Sequence, residues 1–160
     1  MTSVLFVCLG NICRSPTAHG ILEHLISQHQ LSARLRVDSA GTGAWHAGET
    51  ADKRSQQTAN RHGISLSSRA RQITLEDLEH FDHIFAMDQQ NLRSIAQLSS
   101  NNEHRRKLRL LRDLDPEAGP NSDTPDPYYG GPGGFEEVFQ ICLRSCQSLV
   151  SELFPELELR

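Results

Sequence analysis

Residues 4–16 read Val4-Leu5-Phe6-Val7-Cys8-Leu9-Gly10-Asn11-Ile12-Cys13-Arg14-Ser15-Pro16, and this stretch decides the fold. Its four leading apolar residues are typical of a short buried strand. After Pro16 apolar residues recur at three- and four-residue steps, as on one face of a helix: Ala18, Ile21, Leu22, Leu25 and Ile26. The pattern predicts strand, loop and helix, with Pro16 in the first helical turn and Ser15 as a plausible N-cap.

The loop between this strand and helix has the composition of an anion-binding site. Backbone N–H groups and the positive end of the helix dipole converge at such a junction. The same field favours a thiolate over a thiol. The planar guanidinium of Arg14 can hold two oxygens of a phosphate. Cys8 and Arg14 together predict a phosphate site with a nucleophile at its floor.

The competing interpretation of Cys8 is structural, because a cysteine at the end of an apolar strand is usually a small buried hydrophobe. Its neighbours weaken that interpretation. Gly10 and Asn11 tolerate the positive φ that a tight loop needs, and a structural cysteine requires no arginine beside it.

The chain has 160 residues and a mass of 17.9 kDa, which predicts a single domain over residues 1–160. Charged residues make up 22% and hydrophobic residues 37%, as in folded globular proteins rather than disordered ones. The formal net charge of -4 argues against a general nucleic-acid binder. We interpret the short basic run His104-Arg105-Arg106-Lys107 as a solvated loop.

Neither a signal peptide nor a membrane span is predicted, because the opening apolar run is short and no stretch reaches the length of a span. Cysteines without a secretion signal indicate reduced thiols, and hence a cytoplasmic protein. The spacings of Cys8–Cys13 and Cys142–Cys146 do not resemble a zinc site, so neither a metal nor another cofactor is expected.

Strand and helix patterns alternate along the chain. Strands are predicted at about 3–7, 35–37, 83–87 and 108–111. Helices are predicted at about 16–29, 51–61 and 88–98, after Thr74, and from Phe135. Gly63 is expected to end the second helix, Thr74–Asp77 to form a capping box, and Asp88 to cap the helix at 88–98. The alternation predicts a parallel sheet covered on both faces, with a ligand site beyond the carboxyl ends of its strands. On the last helix, Cys142 and Cys146 fall on the apolar face and are predicted to lie in the core.

The chain resembles the low-molecular-weight protein tyrosine phosphatase family. Residues 4–16 match the signature of that family without a gap. The resemblance continues through Asp38-Ser39-Ala40-Gly41-Thr42, Ala70-Arg71-Gln72, Met87-Asp88 with Asn91-Leu92, and Asp126-Pro127-Tyr128-Tyr129-Gly130. It implies an α/β three-layer sandwich with a four-stranded parallel sheet, in which a phosphate-binding loop joins strand 1 to helix 1.

The resemblance also implies hydrolysis of protein phosphotyrosine, and of small aryl phosphates, through a phosphocysteine intermediate. Cys8 is then the nucleophile, and Arg14 binds the phosphate together with the rest of the loop: Leu9, Gly10, Asn11, Ile12, Cys13 and Ser15. By resemblance, Asp126 protonates the leaving oxygen and later activates water. The residues alone do not decide which aspartate is the acid, because Asp113, Asp115 and Asp123 lie on the same long loop.

Two loop residues have further predicted roles. Ser15 either donates its hydroxyl to the thiolate or caps the helix, and both roles are compatible. By resemblance, Asn11 holds the loop together with Ser39. One departure from the family is visible, since Ser68 stands where a loop-supporting histidine is often found.

Trp45, Tyr128 and Tyr129 look, by resemblance, like the walls of a substrate cleft. An aromatic slot favours a planar phenyl phosphate. For Trp45 the alternative is ordinary partial burial beneath a loop. The expected partners are phosphotyrosine-containing proteins, with phosphate as product or inhibitor, and neither nucleic acid nor a membrane.

Three other functions remain open at this point. A thioredoxin-coupled arsenate reductase of this fold needs further cysteines near the third strand, and residues 81–100 contain none. A protein arginine phosphatase of the same family has threonine where this chain has Ile12. A phosphocysteine carrier or phosphate-binding module would not need Asp126 together with Arg14.

Cys13 suggests a redox hypothesis. Peroxide oxidises a reactive thiolate first to a sulfenic acid. A second thiol on the same loop can condense with it to a reducible Cys8–Cys13 disulfide. The alternative is that Cys13 only packs beneath the loop.

Overall fold

The first strand, β1 (Thr2–Cys8), forms the centre of the molecule. Residues Ser3–Cys8 are all buried, as the continuous apolar run predicts for a strand covered on both faces. Its side chains alternate between two cores. Val4, Phe6 and Cys8 enter the larger core, and Leu5 and Val7 enter the smaller one.

The structure is a computed structural model that describes residues 1–128, 130–131 and 133–157. After β1 the elements are α1 (Arg14–Gln28), β2 (Leu35–Gly41), α2 (Lys53–Arg61), α3 (Leu75–His80), β3 (His83–Ala86), α4 (Gln89–Ala96), α5 (Asn102–Arg105), β4 (Leu108–Leu110), a 3-10 turn (Leu111–Asp113) and α6 (Gly134–Leu153). The four strands form one parallel sheet in the order β2-β1-β3-β4.

Helices cover both faces of this sheet. The larger core contains residues of α1, α2 and α6 beneath one face, and the smaller core contains residues of α3 and α4 beneath the other. The predicted α/β three-layer sandwich with a four-stranded parallel sheet is confirmed. No helix in the described ranges is long and apolar enough to cross a membrane.

The structure corrects two predicted boundaries near the loop. Strand β2 extends to Gly41 because Asp38–Gly41 pair with Leu5–Cys8 of β1, a register that local pattern does not reveal. Helix α1 begins at Arg14, two residues before Pro16, so Ser15 lies inside its first turn. The pairing of β1 with β2 thereby continues as far as Cys8, where the loop begins.

Three of the predicted signals for helix ends are confirmed by the structure. Thr74 and Asp77 form a reciprocal capping box on α3. The Asp88 carboxylate accepts a hydrogen bond from Asn91 N at the start of α4. Gly63 follows α2 with a positive φ of 77°, as expected of a C′ glycine.

The interpretation of residues 104–107 as a solvated loop is wrong for His104. Residues 102–105 form α5, and the His104 imidazole is buried. Its Nδ1 lies 2.7 Å from Ser99 Oγ, and its Nε2 lies 3.1 Å from Glu79 Oε1. The contact with Glu79 joins segments 25 residues apart along the chain, so a charge run could not indicate it.

The long segment between β4 and α6 is fastened to the body of the protein by a buried carboxylate. The Asp115 side chain is 0% exposed and bonds to Arg112 and Arg144, at 3.2 Å and 2.9 Å. Burial acts to raise the pKa of Asp115, but hydrogen bonds and charge from Arg144, with further contributions from Glu117 N and Arg112, lower it overall. The carboxylate is therefore ionised in the folded protein at neutral pH.

We expect Asp115→Asn to lower the free energy of unfolding by about 3 kcal/mol at neutral pH, because it leaves two arginines without their buried partner. The folded pKa is lowered, so the stabilisation is present above pH about 4 and declines as the pH falls below it. Urea unfolding at several pH values measures this. Glu103→Gln, which removes an exposed partner of Arg106, is the matched control. If the difference in unfolding free energy between the wild type and Asp115→Asn were the same at low pH, the stabilising role of the ionised Asp115 carboxylate would be contradicted.

Candidate active site

The loop between β1 and α1 surrounds the thiol of Cys8. Asn11 N donates a hydrogen bond to Cys8 Sγ at 3.2 Å, and the hydroxyl of Ser15 lies 3.0 Å from the same sulfur. Cys8 itself is 3% exposed. Both contacts stabilise a negative charge on the sulfur when Ser15 donates. Mere packing of a hydrophobe would not require them.

Asn11 holds the shape of the loop. Its φ of 58° lies in the left-handed region, which asparagine tolerates. Its side-chain N–H donates to Ser15 Oγ at 2.8 Å, and its carbonyl accepts from Arg71 N at 3.0 Å. The structural role agrees with the prediction, but these partners replace Ser39, which the resemblance had implied.

Ser15 supports the thiol and is not the N-cap. The cap position of α1 is Cys13, which makes no side-chain capping bond. Ser15 accepts from Asn11 and lies 3.4 Å from Ala40 O in addition to its contact with Cys8. The polar side chain at the helix start is therefore directed at the nucleophile.

A histidine other than the one the family resemblance suggested lies behind the loop. His19, one turn after Ser15, is buried and places its Nδ1 2.9 Å from Ser39 Oγ. Burial lowers the pKa of His19, against the opposing charges of Glu23 and Asp38. A neutral imidazole thus ties α1 to β2, while Ser68 occupies the position of the family histidine.

Residues 41–43 support the other side of the loop through the backbone. Thr42 N donates to Cys8 O and Gly43 N donates to Leu9 O, both at 2.9 Å. A Cβ at Gly41 would lie 2.8 Å from Leu9 O and 3.1 Å from Gly10 C. Only glycine permits this approach without moving the loop.

Arg14 is a nearly buried cation at the carboxyl end of the sheet, with 2% of its surface exposed. Its Nη1 donates to Asp88 Oδ2 at 2.7 Å and to Thr124 O at 3.0 Å, and its Nη2 lies 3.6 Å from Asp126 Oδ2. Burial acts to lower the pKa of Arg14, but the charges of Cys8, Asp88 and Asp126 raise it overall. The guanidinium remains charged and oriented.

The structure separates the four aspartates that the sequence left as candidate acids. Asp113 accepts from Leu110 N, Asp115 binds two arginines, and Asp123 accepts from Gln89 N. Asp126 alone of the four lines the cleft above Cys8, where its side chain is 43% exposed. It is thus the only one of these four carboxyl groups that faces the cleft.

A cleft of about 400 Å³ opens above Cys8, and nine of the predicted site residues line it: Cys8, Leu9, Gly10, Ile12, Cys13, Arg14, Trp45, Asp126 and Tyr128. Trp45 is 73% exposed at the rim, so partial burial beneath a loop is wrong for it. Tyr128 forms part of the lining as predicted. Tyr129 lies outside the described residues.

The remaining cysteines are buried thiols. Burial, followed by the charge of Asp52, raises the pKa of Cys13 to about 12. Cys142 and Cys146 lie in the larger core as predicted, with their thiols facing the carbonyls of Arg14 and Ala18. The Cys8–Cys13 disulfide stays a prediction.

Within the described ranges, no group of three or more His, Cys, Asp or Glu residues could hold a metal ion.

Residues 3–158 match the family described as low molecular weight phosphotyrosine protein phosphatase. The chain belongs to this family. The human low molecular weight phosphotyrosine protein phosphatase is 43% identical over 151 residues, covering 94% of each chain. A crystal structure of a protein tyrosine phosphatase from Entamoeba histolytica, with Hepes in its active site, superposes with a TM-score of 0.91 at 35% identity, covering 98% of this chain and 99% of that one.

The chain is also similar to a protein that is named for another activity. The crystal structure of a Drosophila arginine phosphatase superposes with a TM-score of 0.84 at 35% identity, covering 96% of this chain and 98% of that one. One fold is therefore shared by proteins named for two different phosphatase activities.

Sequence reasoning missed several residues of this site: His19, described above, and His46, Asp88 and Thr124. His46 lines the cleft, with its Nδ1 2.9 Å from Glu49 Oε2 and its ring 6.5 Å from that of Tyr128. Its position next to Trp45 was a weak signal. Asp88 and Thr124 hold Arg14, and the capping role predicted for Asp88 concealed this contact. Nothing in the local sequence around Thr124 indicates that its carbonyl reaches residue 14.

We expect Gly41→Ala to lower kcat/KM for aryl phosphates by roughly tenfold or more, because its Cβ would displace the loop backbone that surrounds the thiol. Steady-state kinetics measures the loss, and circular dichroism checks the fold. Gly119→Ala is the matched control, because a Cβ there meets nothing within 4 Å. Equal activity of both variants would show that the contact of Gly41 with the loop is dispensable.

Proposed function

We propose that this protein hydrolyses the phosphate monoester of phosphotyrosine in proteins, and of small aryl phosphates, through a phosphocysteine intermediate. The observation that carries the proposal is the position of the Cys8 thiol, which lines the same cleft as Arg14 and Asp126 and is in contact with Asn11 N and Ser15 Oγ. A nucleophile, a fixed cation and a carboxyl group that can exchange protons thus meet in one cleft. Membership in the phosphatase family supports the same activity.

In the first step, the Cys8 thiolate attacks phosphorus from the floor of the loop. A bond between sulfur and phosphorus forms as the bond to the phenolic oxygen breaks. Asp126, in its protonated form, donates a proton to that oxygen, so tyrosine leaves as a neutral phenol. The Nη1 of Arg14 is engaged by Asp88 and Thr124, which leaves the Nη2 edge of the guanidinium to hold the phosphoryl oxygens.

In the second step, water attacks the phosphorus of the phosphocysteine. The Asp126 carboxylate takes a proton from this water, the bond between sulfur and phosphorus breaks, and phosphate leaves as the Cys8 thiolate is restored. The N–H groups of the loop and the charge of Arg14 stabilise the phosphoryl group in both steps. One lost donor in such an arrangement costs roughly 3 kcal/mol.

The cleft favours a planar substrate. Trp45 and Tyr128 lie at its rim and wall, and Ile12 and Leu9 add apolar surface. Phosphotyrosine-containing proteins are therefore the proposed partners, and inorganic phosphate is a product that competes for the loop. Because the thiolate must stay reduced, the cytoplasm is the proposed compartment.

Phosphoarginine is the second candidate substrate, since the fold is shared with an arginine phosphatase. Ile12 disfavours this substrate, because protein arginine phosphatases of this family have threonine at this position of the loop. Comparing kcat/KM for a phosphotyrosine peptide and a phosphoarginine peptide of the same sequence decides between them. A higher value for phosphoarginine would reverse the assignment.

We expect Cys8→Ser to lower turnover of para-nitrophenyl phosphate by a factor on the order of 10⁵ or more, while phosphate still binds. Arg14→Lys should cost roughly 10²–10³-fold, because an ammonium cannot reproduce the planar fork. Continuous absorbance and isothermal titration with phosphate measure the two quantities. Substantial activity in Cys8→Ser would exclude the mechanism, and a single stoichiometric burst by the wild type would indicate a carrier.

Asp126→Ala should lower kcat/KM for phosphotyrosine by roughly 10²–10⁴-fold, because tyrosine leaves poorly without a proton. The loss should be smaller for para-nitrophenyl phosphate, whose leaving group needs less protonation. A series of aryl phosphates with different phenol pKa values shows how the loss of kcat/KM depends on the leaving group. If all substrates lost activity equally, Asp126 would not be the acid.

A further inference from the structure

Arg54, in the first turn of α2, holds an exposed but well-defined position beside the cleft. Its backbone N–H and its Nε donate to Asp52 Oδ1 at 2.8 Å and 3.1 Å, and its Nη2 donates to Asp52 Oδ2 at 3.0 Å. Asp52 is the N-cap of α2. The hydrogen bond from the Arg54 side chain is the largest cause that lowers the pKa of Asp52, so this carboxylate stays ionised. The guanidinium is thereby fixed in orientation.

Asp52 connects this arginine to the phosphate loop. Its backbone N–H donates to Ile12 O at 2.8 Å. Ile12 lies in the middle of the loop between β1 and α1, next to Asn11, whose N–H donates to Cys8 Sγ. Arg54 is therefore anchored, through a single residue, to the loop that surrounds the nucleophile.

The free edge of the same guanidinium reaches residues 114–128, which include Asp126 and are called the acid segment below. Arg54 Nη1 donates to Tyr128 O at 3.2 Å, and Arg54 Cζ lies 5.3 Å from the centre of the Tyr128 ring. It also lies 4.7 Å from the centre of the Phe135 ring at the start of α6. A planar cation over aromatic rings adds attraction to the hydrogen bond. Arg54 thus joins the phosphate loop, the acid segment and α6.

Tyr128 in turn sets the position of the Asp126 carboxylate. Asp126 Oδ1 accepts a hydrogen bond from Tyr128 N at 3.0 Å. Its other oxygen is 3.6 Å from Arg14 Nη2, which is too long for a hydrogen bond. The direction of this half-exposed carboxylate therefore depends on where the Tyr128 backbone is held.

We propose that Arg54 is a positioning residue for the proton transfer by Asp126. It fixes Tyr128 relative to the phosphate loop, and so keeps the carboxyl group beside the leaving oxygen. The inference rests on the proposed phosphatase function and goes beyond it, because Arg54 does not line the cleft. The alternative is that Arg54 only forms a surface ion pair with Asp52, which would contribute little to stability and nothing to catalysis.

The two interpretations differ in how the rate depends on the leaving group. If Arg54 positions the acid, Arg54→Gln should lower kcat/KM for phosphotyrosine about tenfold, and for para-nitrophenyl phosphate by less than about twofold. Arg54→Lys keeps the charge but loses the fork, and should lie between wild type and Arg54→Gln. The inhibition constant of phosphate should not change, because the phosphate loop is intact.

The matched control is Arg106→Gln, which removes another exposed arginine from an ion pair with a nearby acid, Glu103. It should change neither substrate's kcat/KM. Equal losses for both substrates in Arg54→Gln, or a weaker inhibition by phosphate, would indicate a general disturbance of the site and overturn the proposal.

A double-mutant cycle with Asp126→Ala provides the decisive measurement. If Arg54 acts through the acid, Arg54→Gln should have no further effect in the Asp126→Ala background, so the two losses are not additive. Additive losses would overturn the positioning role while leaving the phosphatase function intact. Absence of turnover of either aryl phosphate by the wild type would instead overturn the proposed function, and this inference with it.

Discussion

The positive charge of Arg14, buried at the carboxyl end of the sheet, is the constraint on which the rest of the site depends. A buried cation is costly unless it is paired and hydrogen-bonded. Asp88, Thr124 O and Asp126 meet this requirement from two segments that follow β3 and β4. The need to neutralise one guanidinium thus brings the start of α4 and the acid segment to the same place as the phosphate loop.

This arrangement prepares the site for an anion before any substrate arrives. The donors around Cys8 are held by Asn11, Ser15 and the backbone of residues 41–43, so little reorganisation is needed when a phosphoryl group binds. Arg14 presents one edge because its other edge is occupied. The left-handed Asn11 and the tight approach at Gly41 are the local costs of that rigidity.

The acid segment is an example of a long loop that is ordered by side chains from elsewhere. Asp115 anchors its beginning to α6, Asp123 binds the start of α4, and Arg54 holds Tyr128. These contacts span large separations in sequence. They place a half-exposed carboxyl group over a buried thiol, and so combine solvent access for water with shielding of the nucleophile.

The sequence by itself determined the order of strands and helices and the anion-binding composition of the phosphate loop, and it predicted the roles of Cys8 and Arg14, because these depend on local pattern and on residues close together in the chain. Resemblance added Asp126. Only the tertiary structure placed Asp126, rather than Asp113, Asp115 or Asp123, in the cleft, and showed the contacts that Asp88, His19 and Arg54 make around it. The reason is physical: each of these roles is set by a contact between segments that pair only when the sheet is assembled. No propensity or spacing within one segment encodes which distant partner a carboxylate or guanidinium will meet.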